Sequence, residues 1–274
     1  MSPTFTLLIL GDEILSGKRA DKHLAKTIEI LGARGLTLAQ AHYAGDEPER
    51  ITALLRQAFD AARERGEVMF SCGGIGATPD DHTRACAGRA AGRDLVLHPQ
   101  ARELILQRCQ VLAEQEGKPF EPDSADTQRR LQMGCFPLGA DIIPNPYNQI
   151  PGFTLEGRVH FLPGFPVMAW PMMAWALDEL HADLHGQGQL AEKAIVVYGA
   201  IESVLTPLMV EVESRFAPVK VFSLPSVDHP VHGRHIELGV KGGAQEVEEA
   251  FAYLQQGLLK LGANMGPILV RNKA

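Results

Sequence analysis

The sequence predicts an α/β protein: a three-layer α/β/α domain with a mostly parallel sheet over residues 1–185, followed by a small α+β domain over 191–265. Three observations carry this. Short apolar runs of strand length alternate with segments whose apolar residues recur at helical spacing, the pattern of a parallel sheet covered on both faces. Glycines stand where the apolar runs end. Beyond Gly186-Gln187-Gly188-Gln189 the order changes to strand, helix, two strands, helix, so 185–190 reads as a linker between domains.

In order, Thr4-Phe5-Thr6-Leu7-Leu8-Ile9-Leu10 is a strand that turns at Gly11-Asp12-Glu13. Leu24, Ile28 and Leu31 recur as on one helical face, giving a helix over about 21–34. A second strand over 36–43 ends at Gly45-Asp46-Glu47-Pro48, and Ile51, Leu54, Leu55, Ala58 and Phe59 mark the helix after it. Val68 to Cys72 is the third strand. Residues 99–134 are mainly helical with a break at Gly117-Lys118-Pro119, and a proline-rich loop runs from Pro144 to Gly152. Val159 to Leu162 is a strand, Pro163-Gly164-Phe165-Pro166 a second strand-to-helix turn. The following helix carries Met168, Trp170, Met172, Met173 and Trp175, side chains suited to core or to contact with a second copy in a homo-oligomer. In the small domain, strands over 194–199, 218–223 and 234–241 accompany helices over 202–215 and 244–261.

Composition narrows the function. At 274 residues, 45% hydrophobic and 22% charged, the chain is an ordinary globular one with room for a substantial core. A net charge of -7 argues against a general nucleic-acid or anionic-membrane binder, so an anionic ligand must be held locally. Cys72, Cys86, Cys109 and Cys135 form no Cys-x-x-Cys pair and read as buried side chains of a reducing compartment. No signal peptide is recognisable, and the apolar stretch from Phe165 to Leu177 is shorter than the ~20 residues of a spanning helix. A cytoplasmic protein is expected.

The most informative segment is Val68-Met69-Phe70-Ser71-Cys72-Gly73-Gly74-Ile75-Gly76-Ala77-Thr78-Pro79-Asp80-Asp81-His82-Thr83. A buried strand ends in a glycine turn that opens an acid-headed helix, so main-chain amides and a helix dipole face an anion. Thr78, Pro79 and Asp81 also fit a capping box with Thr78 as N-cap, but capping alone does not require Gly73, Gly74 and Gly76. The turn lacks the Lys-Ser/Thr of a Walker loop and the placement of a dinucleotide fingerprint.

In open α/β sheets ligands bind beyond the carboxyl ends of the strands. Three such ends here place glycine beside carboxylates: Gly11-Asp12-Glu13, Gly45-Asp46, and Gly73 through Asp81. A divalent cation such as Mg²⁺, held by Asp81 and Asp46 against a pyrophosphate, fits this equipment, with Thr78, Asp80, Thr83, Pro163 and Gly164 lining the ligand site. Cys72 reads as packing. His229, His232 and His235 recur every third residue, which suits neither a strand face nor a metal-binding helix, and read as a polar hairpin between two strands, with a metal site as the lesser alternative.

Gly11-Asp12-Glu13-Ile14-Leu15-Ser16-Gly17, Gly45-Asp46, Gly73 to Thr83, Pro144-Asn145-Pro146, Pro151-Gly152-Phe153 and Leu162 to Pro166 resemble the molybdopterin-binding domain of the competence/damage-inducible protein A family. The likeness runs over about 4–180. Residues 191–265 are similar to the small α+β domain that follows it there; the nicotinamide-nucleotide amidase domain of longer members has no counterpart in the likeness. The resemblance implies a molybdopterin-type fold, a pterin or nucleotide ligand, adenylyl transfer in some relatives and ADP-ribose pyrophosphatase activity, a magnesium-dependent hydrolase reaction, in others. It also implies that Asp81 and Asp46 are the two functional acids. Ala77, Cys72, His23 and Tyr147-Asn148-Gln149-Ile150 depart from the family pattern around the expected pocket, which keeps a non-catalytic binding or assembly module as the alternative.

Overall fold

The computed structural model describes residues 4–186 and 191–272, so the expected linker at 185–190 falls mostly outside the described residues. The chain divides into two compact units, Met1–Gln187 and Gly188–Ala274.

The first unit runs β1 (Phe5–Leu10), α1 (Asp12–Leu15), α2 (His23–Gly32), β2 (Leu38–Ala44), α3 (Pro48–Arg65), β3 (Val68–Cys72), α4 (Thr83–Ala91), β4 (Leu95–Leu97), α5 (Pro99–Gln115), α6 (Ala125–Leu131), β5 (Cys135–Pro137), β6 (Asp141–Ile143), β7 (Gly152–Leu155), β8 (Val159–Leu162) and α7 (Pro166–Leu180). Six strands form one sheet in the order β2-β1-β3-β8-β7-β6, while β4 and β5 pair separately. β2, β1, β3 and β8 are parallel; β7 and β6 add an antiparallel edge.

β1 is buried at every residue because the sheet is covered on both sides. Phe5, Leu7 and Ile9 point to one face, where Phe70, Leu162 and Met172, Met173 and Leu177 of α7 join them. Leu8 and Leu10 point to the other, against Leu55 and Phe59 of α3 and the stacked rings of Phe153 and Phe161. Alternation along a strand forces this division. Met168, Trp170 and Trp175 pack against the first of these cores, so the Met/Trp helix α7 serves the interior of its own unit.

Two details differ from the sequence reading. β5, β6 and β7 are three or four residues long, too short to show a period, and β7 begins at Gly152, the last residue of the expected loop. The helix after the glycine turn starts at Thr83 with His82 as N-cap, not at Thr78. Only half of the box forms: the Asp81 carboxylate accepts the Thr78 N–H at 2.8 Å and the Thr78 hydroxyl at 2.6 Å, while the Asp81 N–H donates to Thr78 O at 3.0 Å. It closes a single turn, because Thr83 N–H is committed to Gly74 O at 3.0 Å and fixes the helix start there.

The second unit runs β9 (Ala191–Tyr198), α8 (Glu202–Arg215), β10 (Lys220–His229), β11 (Gly233–Gly242), α9 (Ala244–Lys260) and β12 (Asn264–Asn272). Its antiparallel sheet has the order β10-β11-β9-β12, the split β-α-β arrangement of ferredoxin-like domains. Ile195, Val197, Leu238 and Val240 face Leu205, Phe251 and Leu254 of the two helices. β12 was not expected from sequence: Gly266-Pro267 interrupts its alternation, and the pairing with β9 shifts register at that point. Among the described residues no helix is long and apolar enough to cross a membrane.

Candidate functional site

The parallel register aligns Leu10 with Ala44 and Ile9 with Cys72, and Cys72 with Leu162. The residues that follow, Gly11, Gly45, Gly73 and Pro163, therefore emerge along one edge of the sheet. This is the juxtaposition that the glycine and carboxylate spacing predicts.

Asp12 and Asp46 clasp each other across that edge. The Asp12 N–H donates to the Asp46 carboxylate at 3.0 Å, and the Asp46 N–H donates to the Asp12 carboxylate at 3.3 Å. Gly45 is required for this contact, since a Cβ there would collide with the Asp12 carboxylate. Burial raises the Asp46 carboxyl above the ordinary carboxylate range, and the charges of Asp12, Glu13 and Asp80 add to it, while the Asp12 N–H pulls the other way. Three acidic groups, Asp12, Glu13 and Asp80, thus converge electrostatically on Asp46.

Asp81 is arranged differently. Its carboxylate is turned onto Thr78, against Gly76, and lies near Arg84. Burial lowers the Arg84 guanidinium, which donates to Gln132 O at 2.8 Å. The acids near Asp46 are therefore Asp12, Glu13 and Asp80, with Asp81 held in the neighbouring turn. Among the described residues no three His, Cys, Asp or Glu side chains are placed to hold a metal ion by themselves.

The glycines do more for the turn than for a ligand. Gly73, at φ 115, has its N–H bonded to Leu162 O at 2.9 Å, and a Cβ there would lie 2.5 Å from Leu10 O. Gly11 N–H is likewise engaged, with Ala44 O at 3.1 Å, and the buried Thr83 hydroxyl donates to Gly73 O at 3.0 Å. Gly74 and Gly76 are half-buried, and Thr78 and Asp80 are exposed at the surface of the turn.

A cavity of about 360 Å³ opens at the same edge, lined by Ile9, Leu10, Glu13, Ile14, Arg19, Ala20, Lys22, His23, Cys72, Gly164, Phe165 and Pro166. It joins apolar walls to two cationic side chains. Burial pushes the Cys72 thiol up to about 12, so Cys72 is a packed wall and not a nucleophile. His23 is buried, and its Nε2 lies 3.0 Å from Gly164 O. A carbonyl only accepts, so Nε2 carries the proton and Nδ1, without a partner, is an acceptor. Arg19, Lys22 and Phe165 were not among the expected site residues. The signal was present in the basic run Lys18-Arg19 and Lys22 just beyond the first strand end.

Comparison with known proteins places this arrangement. Residues 6–182 match the family model described as a probable molybdopterin binding domain. A CinA-like protein of Syntrophotalea carbinolica is 31% identical over 206 residues, 74% of this chain and 47% of its own length, so the chain spans about half of that relative. A protein of Aeropyrum pernix is 31% identical over 272 residues, covering 94% of this chain and 92% of its own. Among solved structures, the CinA protein of unknown function from Thermoplasma acidophilum superposes with a TM-score of 0.51 at 24% identity, over 67% of this chain and 98% of that one, a likeness of fold. The chain belongs to the molybdopterin-binding-domain family, and its relatives there include CinA-like proteins.

Proposed function

We propose that the carboxyl edge of the parallel sheet binds a pterin or nucleotide ligand bearing phosphate, its ring in the cavity of Ile14, His23 and Phe165 and its phosphates toward Asp46 and the Gly74–Thr78 turn. One observation carries this reading: the aligned strand ends put a half-apolar cavity with Arg19 and Lys22 beside a cluster of carboxylates that repel one another at Asp46. A purely structural edge gains nothing from such repulsion. A divalent cation of the Mg²⁺ class relieves it, and because the described residues offer no complete set of ligands, the cation would draw its remaining oxygens from the phosphates, as Mg²⁺ commonly does. Asp46 and Asp12 would hold it; when bound it supplies charge neutralisation to the phosphate oxygens.

Calorimetric titration with molybdopterin, ADP-ribose, FAD and ATP, each with and without Mg²⁺, tests the reading. Saturable binding of at least one, strengthened by Mg²⁺ and weakened in D46N, is expected. Failure of all four to bind overturns it.

In a catalytic version the cation is held by Asp12 and the phosphates alone, which leaves Asp46, its carboxyl raised by burial and by the neighbouring acids, free of metal. A carboxylate of that kind suits a general base. It would take a proton from water as the water oxygen bonds to one phosphorus and the bridging P–O bond of the anhydride breaks. Release of two monophosphates from ADP-ribose or a related anhydride, lost in D46N, is the expected result; binding without turnover would leave a non-catalytic pocket instead.

A further inference from the structure

The β10–β11 hairpin gathers three imidazoles that the first unit's chemistry does not use. His229 ends β10, His232 stands in the connecting turn and His235 lies on β11 opposite Ser226. Spacing by threes is uninformative along a single strand. Folding the strand back at 230–232 converts it into a cluster: the ring centroids of His229 and His232 are 5.0 Å apart, those of His229 and His235 5.2 Å, and those of His232 and His235 5.6 Å.

Those separations have a chemical meaning. Three imidazoles bound to one zinc-class ion at about 2.0–2.1 Å and near-tetrahedral angles have centroids roughly 5.2 Å apart. The triangle at the hairpin has this size on all three sides. The His229 and His232 rings are stacked at 17° and both stand edge-on to His235, so one of the pair must turn for all three donors to meet.

The outer contacts also suit metal ligation. His235 Nδ1 lies 2.9 Å from Gly233 O, which only accepts, so Nδ1 carries the proton and the Nε2 lone pair is left for a metal. A second ring nitrogen bonded to a backbone carbonyl is the common support of a metal-bound histidine. His232 Nδ1 lies 3.2 Å from the Tyr198 hydroxyl, which accepts a proton as readily as it gives one. His229 differs: its Nδ1 accepts the N–H groups of Val231 at 3.3 Å and His232 at 3.1 Å. Its proton is therefore on Nε2 and must move to Nδ1, at the expense of those two long contacts, before Nε2 ligates. As the side chains now stand the three rings do not form a metal-holding group, and His229 must give up its two backbone contacts before they do.

We propose that His229, His232 and His235 form a binding site for an imidazole-preferring divalent transition ion of the zinc class, with the fourth position open to water or to a donor from a ligand. Imidazole donors favour zinc, nickel or copper over magnesium, so this site is chemically separate from the carboxylate edge of the first unit. His229 and His232 are half-buried at the turn, whereas His235 is buried on β11.

The full chain, stripped of metal by a chelator and dialysed, is titrated with Co²⁺ while visible absorption is recorded. One equivalent giving the strong visible bands of four-coordinate cobalt, bleached by one equivalent of Zn²⁺, is expected. H229Q and H232Q, which spare the core, should each weaken binding by at least about tenfold. Circular dichroism establishes that the variants are folded. Absence of four-coordinate bands in the unaltered chain overturns the proposal, as do bands of unchanged affinity in both variants.

Discussion

His160 and His181 face each other inside the first unit with their Nε2 atoms 2.7 Å apart, both rings buried. His160 is on β8, packed 4.9 Å from the Phe70 ring, and His181 follows α7 with its edge toward Phe5. His160 Nδ1 has no partner. An orphaned acceptor is less costly than an orphaned N–H, which favours His160 as the donor.

Burial pushes both imidazoles down, His160 well below 6.5 with the charges of His181 and Arg158 adding to it, and His181 to about 4 with Arg158 and His185 adding and Asp183 opposing. The unfolded chain, with ordinary imidazoles near 6.5, therefore binds more protons than the folded one between those limits. Stability should be complete above about pH 6.5 and fall as pH drops toward 4, at up to about 1.4 kcal/mol per pH unit for each proton. Urea unfolding at pH 7.5, 6.0 and 5.0 checks this. H160F/H181L should flatten that interval; an unchanged slope would assign the acid sensitivity elsewhere.

Glu156 titrates in a lower window. Its carboxylate accepts Arg63 at 2.9 and 2.7 Å and Arg93 at 3.0 Å, and these bonds, Arg63 first, hold its carboxyl below the ordinary range. The clamp is intact above the unfolded value of 4.5 and is lost as pH falls through the folded one. E156Q should cost about 1–3 kcal/mol in urea unfolding at pH 7, with less effect at pH 3.

Asp46 has the opposite sign. Its carboxyl is raised, so the folded state binds the proton more tightly and the ionised group opposes folding at neutral pH. D46N keeps an oxygen for the Asp12 N–H and removes one of the converging charges. The ligand-free variant should match or slightly exceed the parent in melting temperature while losing at least about tenfold in Mg²⁺-dependent ligand affinity, the trade-off of a site kept for function. A melting temperature several degrees lower would show that the Asp12–Asp46 clasp is structural.

Gly73→Ala tests the turn. The left-handed φ and the nearness of Leu10 O leave no room for a methyl, and the strain is expected to cost about 1–3 kcal/mol in thermal or urea unfolding. A neutral substitution would show that the backbone relaxes there.

Much of this was legible in the residues. β1, β3 and β8 are short apolar runs, and the glycines after them mark the edge where Asp12 and Asp46 meet. The helix start at Thr83 was not, because Thr78 and Asp81 satisfy the local rule for a cap while a long-range bond from Thr83 to Gly74 decides the outcome. β5 and β6 have three residues each, below the length at which alternation is visible. The cavity wall at Phe165 depends on where β8 ends relative to β1, a tertiary fact.

The order β2-β1-β3-β8 has a metrical consequence. Neighbouring strands are pinned roughly 4.8 Å apart by their ladders, so the four termini act as the rungs of a fixed gauge about 14 Å long. Backbone bonding sets that gauge, and no side-chain exchange within the strands can stretch it. Adaptation to a larger or smaller guest must come from the connections at 11–22, 73–82 and 163–165, and within the second of these from its exposed stretch 77–80, since Ile14 and Ile75 pack into the cores.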